Sequence, residues 1–84
     1  LSGGRARVTV YSRPGCHLCD EALTQIHDMA SRGAVFELEV IDIDSDDELT
    51  RRYLERIPVV KVGDELVSEL VFDPTKMRDR LGIA

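Results

Sequence analysis

Two hydrophobic periodicities alternate along this chain. Arg7-Val8-Thr9-Val10-Tyr11 is an apolar, β-branched run that reads as a strand. After it Leu18, Ala22, Leu23, Ile26, Met29 and Ala30 recur at three- and four-residue steps, the pattern of an amphipathic helix. The spacing predicts strand one over Ala6 to Ser12 and helix one over His17 to Arg32, with Gly33 in the left-handed position just past it. Phe36, Leu38 and Val40 then alternate with Glu37 and Glu39, a second strand with one wetter face that runs on to Ile43. Asp44 or Ser45 caps a second helix. There Ser45-x-x-Glu48 has the form of a capping box, and Leu49, Tyr53 and Leu54 make the apolar stripe. Arg56-Ile57-Pro58 ends this helix, because the residue before a proline disfavours helical backbone. Val59 to Val62 is a third strand, and Gly63-Asp64 a tight turn into a fourth, Glu65 to Leu70, which closes a hairpin. Asp73 caps a last helix with Pro74 at its first position, running to Leu81 and burying Met77 and Leu81.

The element order is β-α-β-α-β-β-α, an α/β chain with a four-stranded sheet flanked by helices and one domain over residues 1–84. Strands joined through a helix are parallel with a right-handed crossover, and the later hairpin adds antiparallel pairing, so the sheet is mixed. There is no linker, repeat or low-complexity segment, and Leu1 to Arg5 reads as a frayed or trimmed start. At 84 residues a chain buries roughly 60% of its unfolded surface. With no tryptophan and four other aromatics, the core falls to Val, Leu, Ile and Met. A net charge of -5 argues against nucleic acid or an anionic membrane as partner. No apolar run approaches the ~20 residues that span a bilayer, and no signal-peptide pattern opens the chain.

Chemistry concentrates in one stretch, Ser12-Arg13-Pro14-Gly15-Cys16-His17-Leu18-Cys19-Asp20. Both cysteines of the chain lie here, at a strand-to-helix turn and on the opening turn of helix one. Residues three apart on a helix face the same way with Cβ atoms about 5–6 Å apart, and a disulfide draws them to about 4 Å. The first turn also has backbone N–H groups without internal partners and carries partial positive charge. A thiolate on Cys16 could accept hydrogen bonds from the amides of Leu18 and Cys19. Each pKa unit so gained favours the anion by about 1.4 kcal/mol. Arg13 adds a second favourable charge, or is a surface residue only. Cys19, one turn further in, is the more buried thiol, so Cys16 attacks and Cys19 resolves the mixed disulfide. A cross-link closing so short a loop gains only about 2 kcal/mol, which makes a purely structural bridge the weaker explanation.

Other chemistries fit less well. A closed zinc site needs four ligands, and only His17 and His27 accompany the cysteines, His27 being two turns along the helix and solvated. A haem attachment requires histidine directly after Cys19, where Asp20 stands. Asp42, Asp44, Asp46 and Asp47 imitate a calcium loop, but its sixth and twelfth positions would be Asp47 and Tyr53 rather than glycine and glutamate. The Arg51-Arg52 pair reads most simply as a wet helix face.

With strand, Cys-x-x-Cys and element order in place, the chain resembles the glutaredoxins and small glutaredoxin-like proteins of the thioredoxin-fold superfamily. Val10-Tyr11-Ser12-Arg13-Pro14-Gly15-Cys16-His17-Leu18-Cys19 is similar to the glutaredoxin opening, in which Tyr-Ser and a basic residue precede Cys-Pro-Tyr-Cys. Ile57-Pro58 falls where that family carries its cis-proline. The resemblance implies a thioredoxin fold and reversible dithiol–disulfide exchange with Cys16 as nucleophile. It also implies that Ile57 turns its backbone N–H and C=O toward a thiol peptide or glutathione. Resemblance to related folds with charges at the same place makes the Arg51-Arg52 pair a weak candidate for contacting glutathione. Two departures stand out. His17-Leu18 replaces Pro-Tyr between the cysteines, where a protonated His17 would favour the Cys16 thiolate. Glu69-Leu70-Val71-Phe72-Asp73-Pro74 lacks the Gly-Gly pair that holds glutathione's free amino-acid end, and Asp73 is either the family's acidic residue or a helix cap.

The expected activity is therefore reduction of protein or glutathione mixed disulfides by Cys16 and Cys19, with Arg13, His17, Ile57 and Pro58 at the substrate. No metal or organic cofactor is required, glutathione being a co-substrate. The expected partners are disulfide-bearing proteins or glutathione, and a reductant that is glutathione or a thioredoxin reductase. A monomer in the cytoplasm suits this cycle, since paired thiols in this spacing belong to a reducing compartment. The competing expectation is a binding module: an iron–sulfur cluster carrier bridging two chains, or a thioredoxin-fold adaptor with vestigial thiols.

Overall fold

The computed structural model describes residues 5–83; the start expected to fray falls on residues 1–4, outside the described residues, apart from Arg5. Four strands and three α-helices follow in the predicted order: β1 (Ala6–Ser12), α1 (His17–Ser31), β2 (Phe36–Asp42), a 3₁₀ turn (Ile43–Ser45), α2 (Asp47–Tyr53), β3 (Val59–Val62), β4 (Glu65–Glu69) and α3 (Pro74–Leu81). The sheet has the order β2-β1-β3-β4. β1 runs parallel to β2 from Ala6 opposite Phe36 to Ser12 opposite Asp42. It runs antiparallel to β3, with Tyr11 opposite Val59, and β3 pairs antiparallel with β4 through an irregularity between Val60 and Lys61. This is the mixed sheet the element order called for, and the thioredoxin-type architecture the resemblance implied.

Period-two alternation divides the central strands between two cores. Val8, Val10 and Val60 join Ala22, Ile26 and Met29 of α1, Met77 of α3, and Val67 and Phe72. The second cluster holds Cys19, Ile43, Tyr53, Ile57 and Val59, with Tyr11, Cys16 and Leu49 packed against it. A side chain such as Ile26, fully buried, contributes about 1.5–3 kcal/mol by leaving water. The expected share of leucine is corrected here: no leucine of the described residues is among the fully buried positions. The leucines flank the two cores rather than filling them, and Val, Ile and Met do the filling.

Element ends follow local chemistry. α1 stops at Ser31, one residue short of expectation, with Arg32 as its cap. Gly33 at φ 106° lets its own N–H reach the Ala30 carbonyl and that of Ala34 reach Met29. At the other end of the chain Asp73 accepts a hydrogen bond from the Lys76 amide at 3.0 Å, and Pro74 follows as first helical residue. The start of α2 is a correction. Asp46, not Asp44 or Ser45, is the cap, accepting from the Glu48 amide at 2.7 Å. Strand two ends at Asp42 because Ile43 opens the 3₁₀ turn. The Ser45 hydroxyl bonds back to the Asp42 carbonyl at 2.7 Å, and no capping box forms. Three apolar positions of the expected helix and strand stripes, Leu18, Leu54 and Val40, are exposed, as is Ala30. β2 is a sheet edge, so even its apolar face is half covered, and α2 is too short to seat Leu54.

Candidate active site

β1 delivers the chain to the site, and Pro14-Gly15 turns it, Gly15 adopting φ 80° where a side chain would be strained. Cys16 is the residue that caps α1: its backbone is extended, and its Sγ accepts the Cys19 amide at 3.2 Å. One of the helix's unpartnered donors is thus directed at sulfur. The Leu18 amide, expected as a second donor, makes no such bond. Cys16 and Cys19 are joined as a disulfide with Cα atoms 5.2 Å apart. Cys16 is half-buried, whereas Cys19 is 1% exposed and sits among Ile43, Tyr53, Ile57 and Val59. Cys16 is the more accessible residue of the pair, and Cys19 lies in the core.

The remaining predicted residues divide. The Ile57–Pro58 peptide bond is cis, and Ile57 packs in the same cluster as both cysteines. Its N–H, however, donates to the Tyr53 carbonyl at 3.0 Å. That donor is spent inside the last turn after α2, against the expectation that it faces a thiol peptide. The Arg13 guanidinium reaches Asp44 in the 3₁₀ turn at 3.3 Å, tying the loop before Cys16 to the start of α2. His17 is paired with Glu21, its Nε2 2.9 Å from the carboxylate, and its side chain is 86% exposed. His27 is exposed, as expected. Asp73 caps α3, the second of the two roles open to it.

Three features carried no local signal. Arg56 is paired with Glu69 of β4, its Nε 2.8 Å from the carboxylate, which holds its guanidinium above the ordinary range. Leu70 adopts φ 64° although it is not a glycine. Its N–H is shared between the Arg56 and Pro58 carbonyls, both at 3.1 Å, and the next amide, Val71, folds back on the Glu69 carbonyl at 2.7 Å. A leucine forced into this γ-turn costs about 1–3 kcal/mol, and such strain persists only where neighbouring bonds over-determine it. The third is a pair of stacked rings: Tyr53, within the cluster that holds Cys19, and Tyr11, packed against it.

Residues 7–81, nearly the whole chain, match the model of the glutaredoxin-like domain (DUF836). The chain belongs to this glutaredoxin-like family. Two solved structures are similar to it. One is the solution structure of protein Ne2328 from Nitrosomonas europaea, with 34% identity over 98% of this chain and 93% of that one and a TM-score of 0.72. The other is a crystal structure of target protein XcR50 from X. campestris, with 31% identity over 92% and 97% and a TM-score of 0.68. No curated protein matches the chain. A glutaredoxin-like domain with a Cys-x-x-Cys pair at disulfide distance fits a thiol redox role. Among the described residues no three His, Cys, Asp or Glu side chains gather as a metal group would require, and no helix is long and apolar enough to cross a membrane.

Proposed function

We propose that this glutaredoxin-like chain is a dithiol–disulfide oxidoreductase acting on disulfides of proteins or of glutathione. The observation that carries the reading is the asymmetry of the pair. Cys16, half-buried at the helix cap, has a backbone N–H aimed at its sulfur, while Cys19 is held in the core one turn away. In the reduced protein the same N–H stabilises a thiolate on Cys16, and thiolate is the reactive form. That thiolate attacks one sulfur of a substrate disulfide. The substrate bond breaks, a Cys16–substrate disulfide forms, and the second substrate sulfur leaves as a thiolate that takes a proton from water. Cys19, having given up its own proton, then attacks Cys16 Sγ, closing the Cys16–Cys19 bond and releasing the other substrate thiol. The protein dithiol is oxidised by two electrons and the substrate disulfide is reduced to two thiols. A second dithiol or two thiols, supplied by glutathione or by a thioredoxin reductase, reverse the change in the protein. The exchange needs no metal or organic cofactor.

The test is a pair of single substitutions: Cys16→Ser assayed for turnover of a small disulfide under an excess of reductant, and Cys19→Ser, reduced and then freed of reductant, mixed with the same disulfide. Cys16→Ser is expected to reduce turnover to the uncatalysed rate. Cys19→Ser is expected to accumulate a mixed disulfide on Cys16, visible as an added mass that dithiothreitol removes. Full turnover in the Cys16→Ser protein would overturn the assignment.

A further inference from the structure

The segment that carries the cysteines and the turn bonded to the cis-proline loop expose apolar side chains, while their basic side chains are paired. Leu18, between the cysteines, is 40% exposed. Leu70 and Val71, held against the proline loop by the shared Leu70 N–H, are 46% and 73% exposed. Single exposed apolar residues are ordinary, but here one lies between the two cysteines and two lie on the turn bonded to Pro58, whose neighbour Ile57 packs with both cysteines. Two of them are presented by the strained γ-turn at Leu70, which is fixed by bonds to both Arg56 and Pro58. The basic side chains on those same segments are already engaged: Arg13 with Asp44, His17 with Glu21, and Arg56 with Glu69. Asp20 and Glu21 add negative charge on the first turns of α1, in a chain of net charge -5. The Ile57 N–H, which could have paired with a substrate backbone, is bonded to Tyr53.

From this we infer, resting on the oxidoreductase reading, that the substrate is a protein disulfide flanked by apolar residues rather than glutathione. Glutathione brings carboxylates and asks for cations and backbone donors, which these segments have committed elsewhere. An apolar segment asks only for surface to cover, and Leu18, Leu70 and Val71 offer it. The chemistry is the exchange already written, with the two substrate sulfurs belonging to a polypeptide. Leu70 and Val71 act as specificity residues that touch the segment beside its cysteine.

The experiment measures second-order rates of the fully reduced chain with four disulfides. These are neutral 2-hydroxyethyl disulfide, glutathione disulfide, a cystine peptide with Leu and Val flanks, and the same peptide with Asp and Glu flanks. The apolar peptide is expected to react about tenfold faster than either the acidic peptide or glutathione disulfide, the worth of partly burying one such side chain. In Val71→Asp the ratio of the apolar-peptide rate to the 2-hydroxyethyl disulfide rate is expected to fall about tenfold, and in Val71→Ser by a smaller factor. Thermal melts of both variants exclude misfolding as the cause, and Val71→Ser keeps the test open should Val71→Asp not fold. Normal exchange with the neutral disulfide but equal peptide rates, or faster glutathione disulfide, overturns this inference alone. An unchanged ratio in both variants overturns the placement of Val71 at the substrate. Absence of exchange with the neutral disulfide overturns the oxidoreductase reading itself.

Discussion

Tyr53 shows how a single residue joins the redox cluster to the sheet. It is buried beside Cys19 and Ile57, its ring stacked on Tyr11 with centroids 4.3 Å apart. Arg56 lies 5.3 Å and Arg52 6.0 Å from the centre of its ring, and Lys61 lies 5.7 Å from that of Tyr11. Burial pushes the Tyr53 phenol up, but the Arg52 guanidinium beside it and the charge of Lys61 outweigh burial and leave it below the ordinary value of 10.0. The sign of the linkage follows. Between the folded and unfolded values the unfolded chain holds more protons, so stability rises with pH there. The contribution is complete above the unfolded value and is lost as pH falls through the folded one. The melting temperature of the native protein minus that of Tyr53→Phe should therefore increase as pH rises toward the ordinary phenol value of about 10. A difference that stays flat or shrinks over that window would mean that the surrounding cations do not favour the phenolate.

At the scale of elements, the run Asp42 to Asp47 is a competition among caps that only the backbone decides. Asp42 bonds the Asp44 amide at 2.8 Å and Asp46 bonds the Glu48 amide, so successive acids serve the 3₁₀ turn and α2 in relay. Asp46→Ala should cost about 1 kcal/mol, a fall of roughly 4–8 °C in melting temperature. Ser45→Ala, which removes one exposed hydrogen bond, should cost less than half as much. If Ser45→Ala proves the costlier, the capping box rather than Asp46 starts the helix. The same segment marks the reach of sequence reading. β1, β3 and α3 were legible to the residue, because β-branched runs and an Asp-Pro cap have few alternatives. Four acids within six residues offered several equivalent caps, and periodicity cannot rank them. It assigns Leu18 and Val40 to an apolar face, but not whether another element arrives to cover that face. The cysteine pair was plain from spacing and position. The partners that close off Arg13 and the positive φ of Leu70 come from residues distant in the chain, and local pattern contains no sign of them.

Across the whole molecule the two cores are unequal in what they owe to the redox pair. The larger one, Val8, Val10, Ala22, Ile26, Met29, Val60, Val67, Phe72 and Met77, contains neither cysteine and binds α1 and α3 to the central strands. The other holds the buried thiol and the proline loop. Breaking the disulfide removes a cross-link around a very short loop, worth about 2 kcal/mol at most in the chain-entropy model. It leaves Cys19 a small buried hydrophobe in a cluster that is otherwise intact. A domain of this size has some 5–15 kcal/mol to lose, so the reduced protein should unfold cooperatively with its stability lowered by no more than about 2 kcal/mol. Met77→Ala, which empties a fully buried position in the larger core, should cost about 2–5 kcal/mol in either redox state. Denaturant titration of the oxidised and reduced forms, each with and without Met77→Ala, measures both effects and their coupling. Additive costs are the outcome expected of separate cores. Strong coupling, or a reduced protein that has lost its cooperative transition, would mean that the disulfide is a structural brace, and an exchange cycle that opens it at every turnover would then unfold its own catalyst.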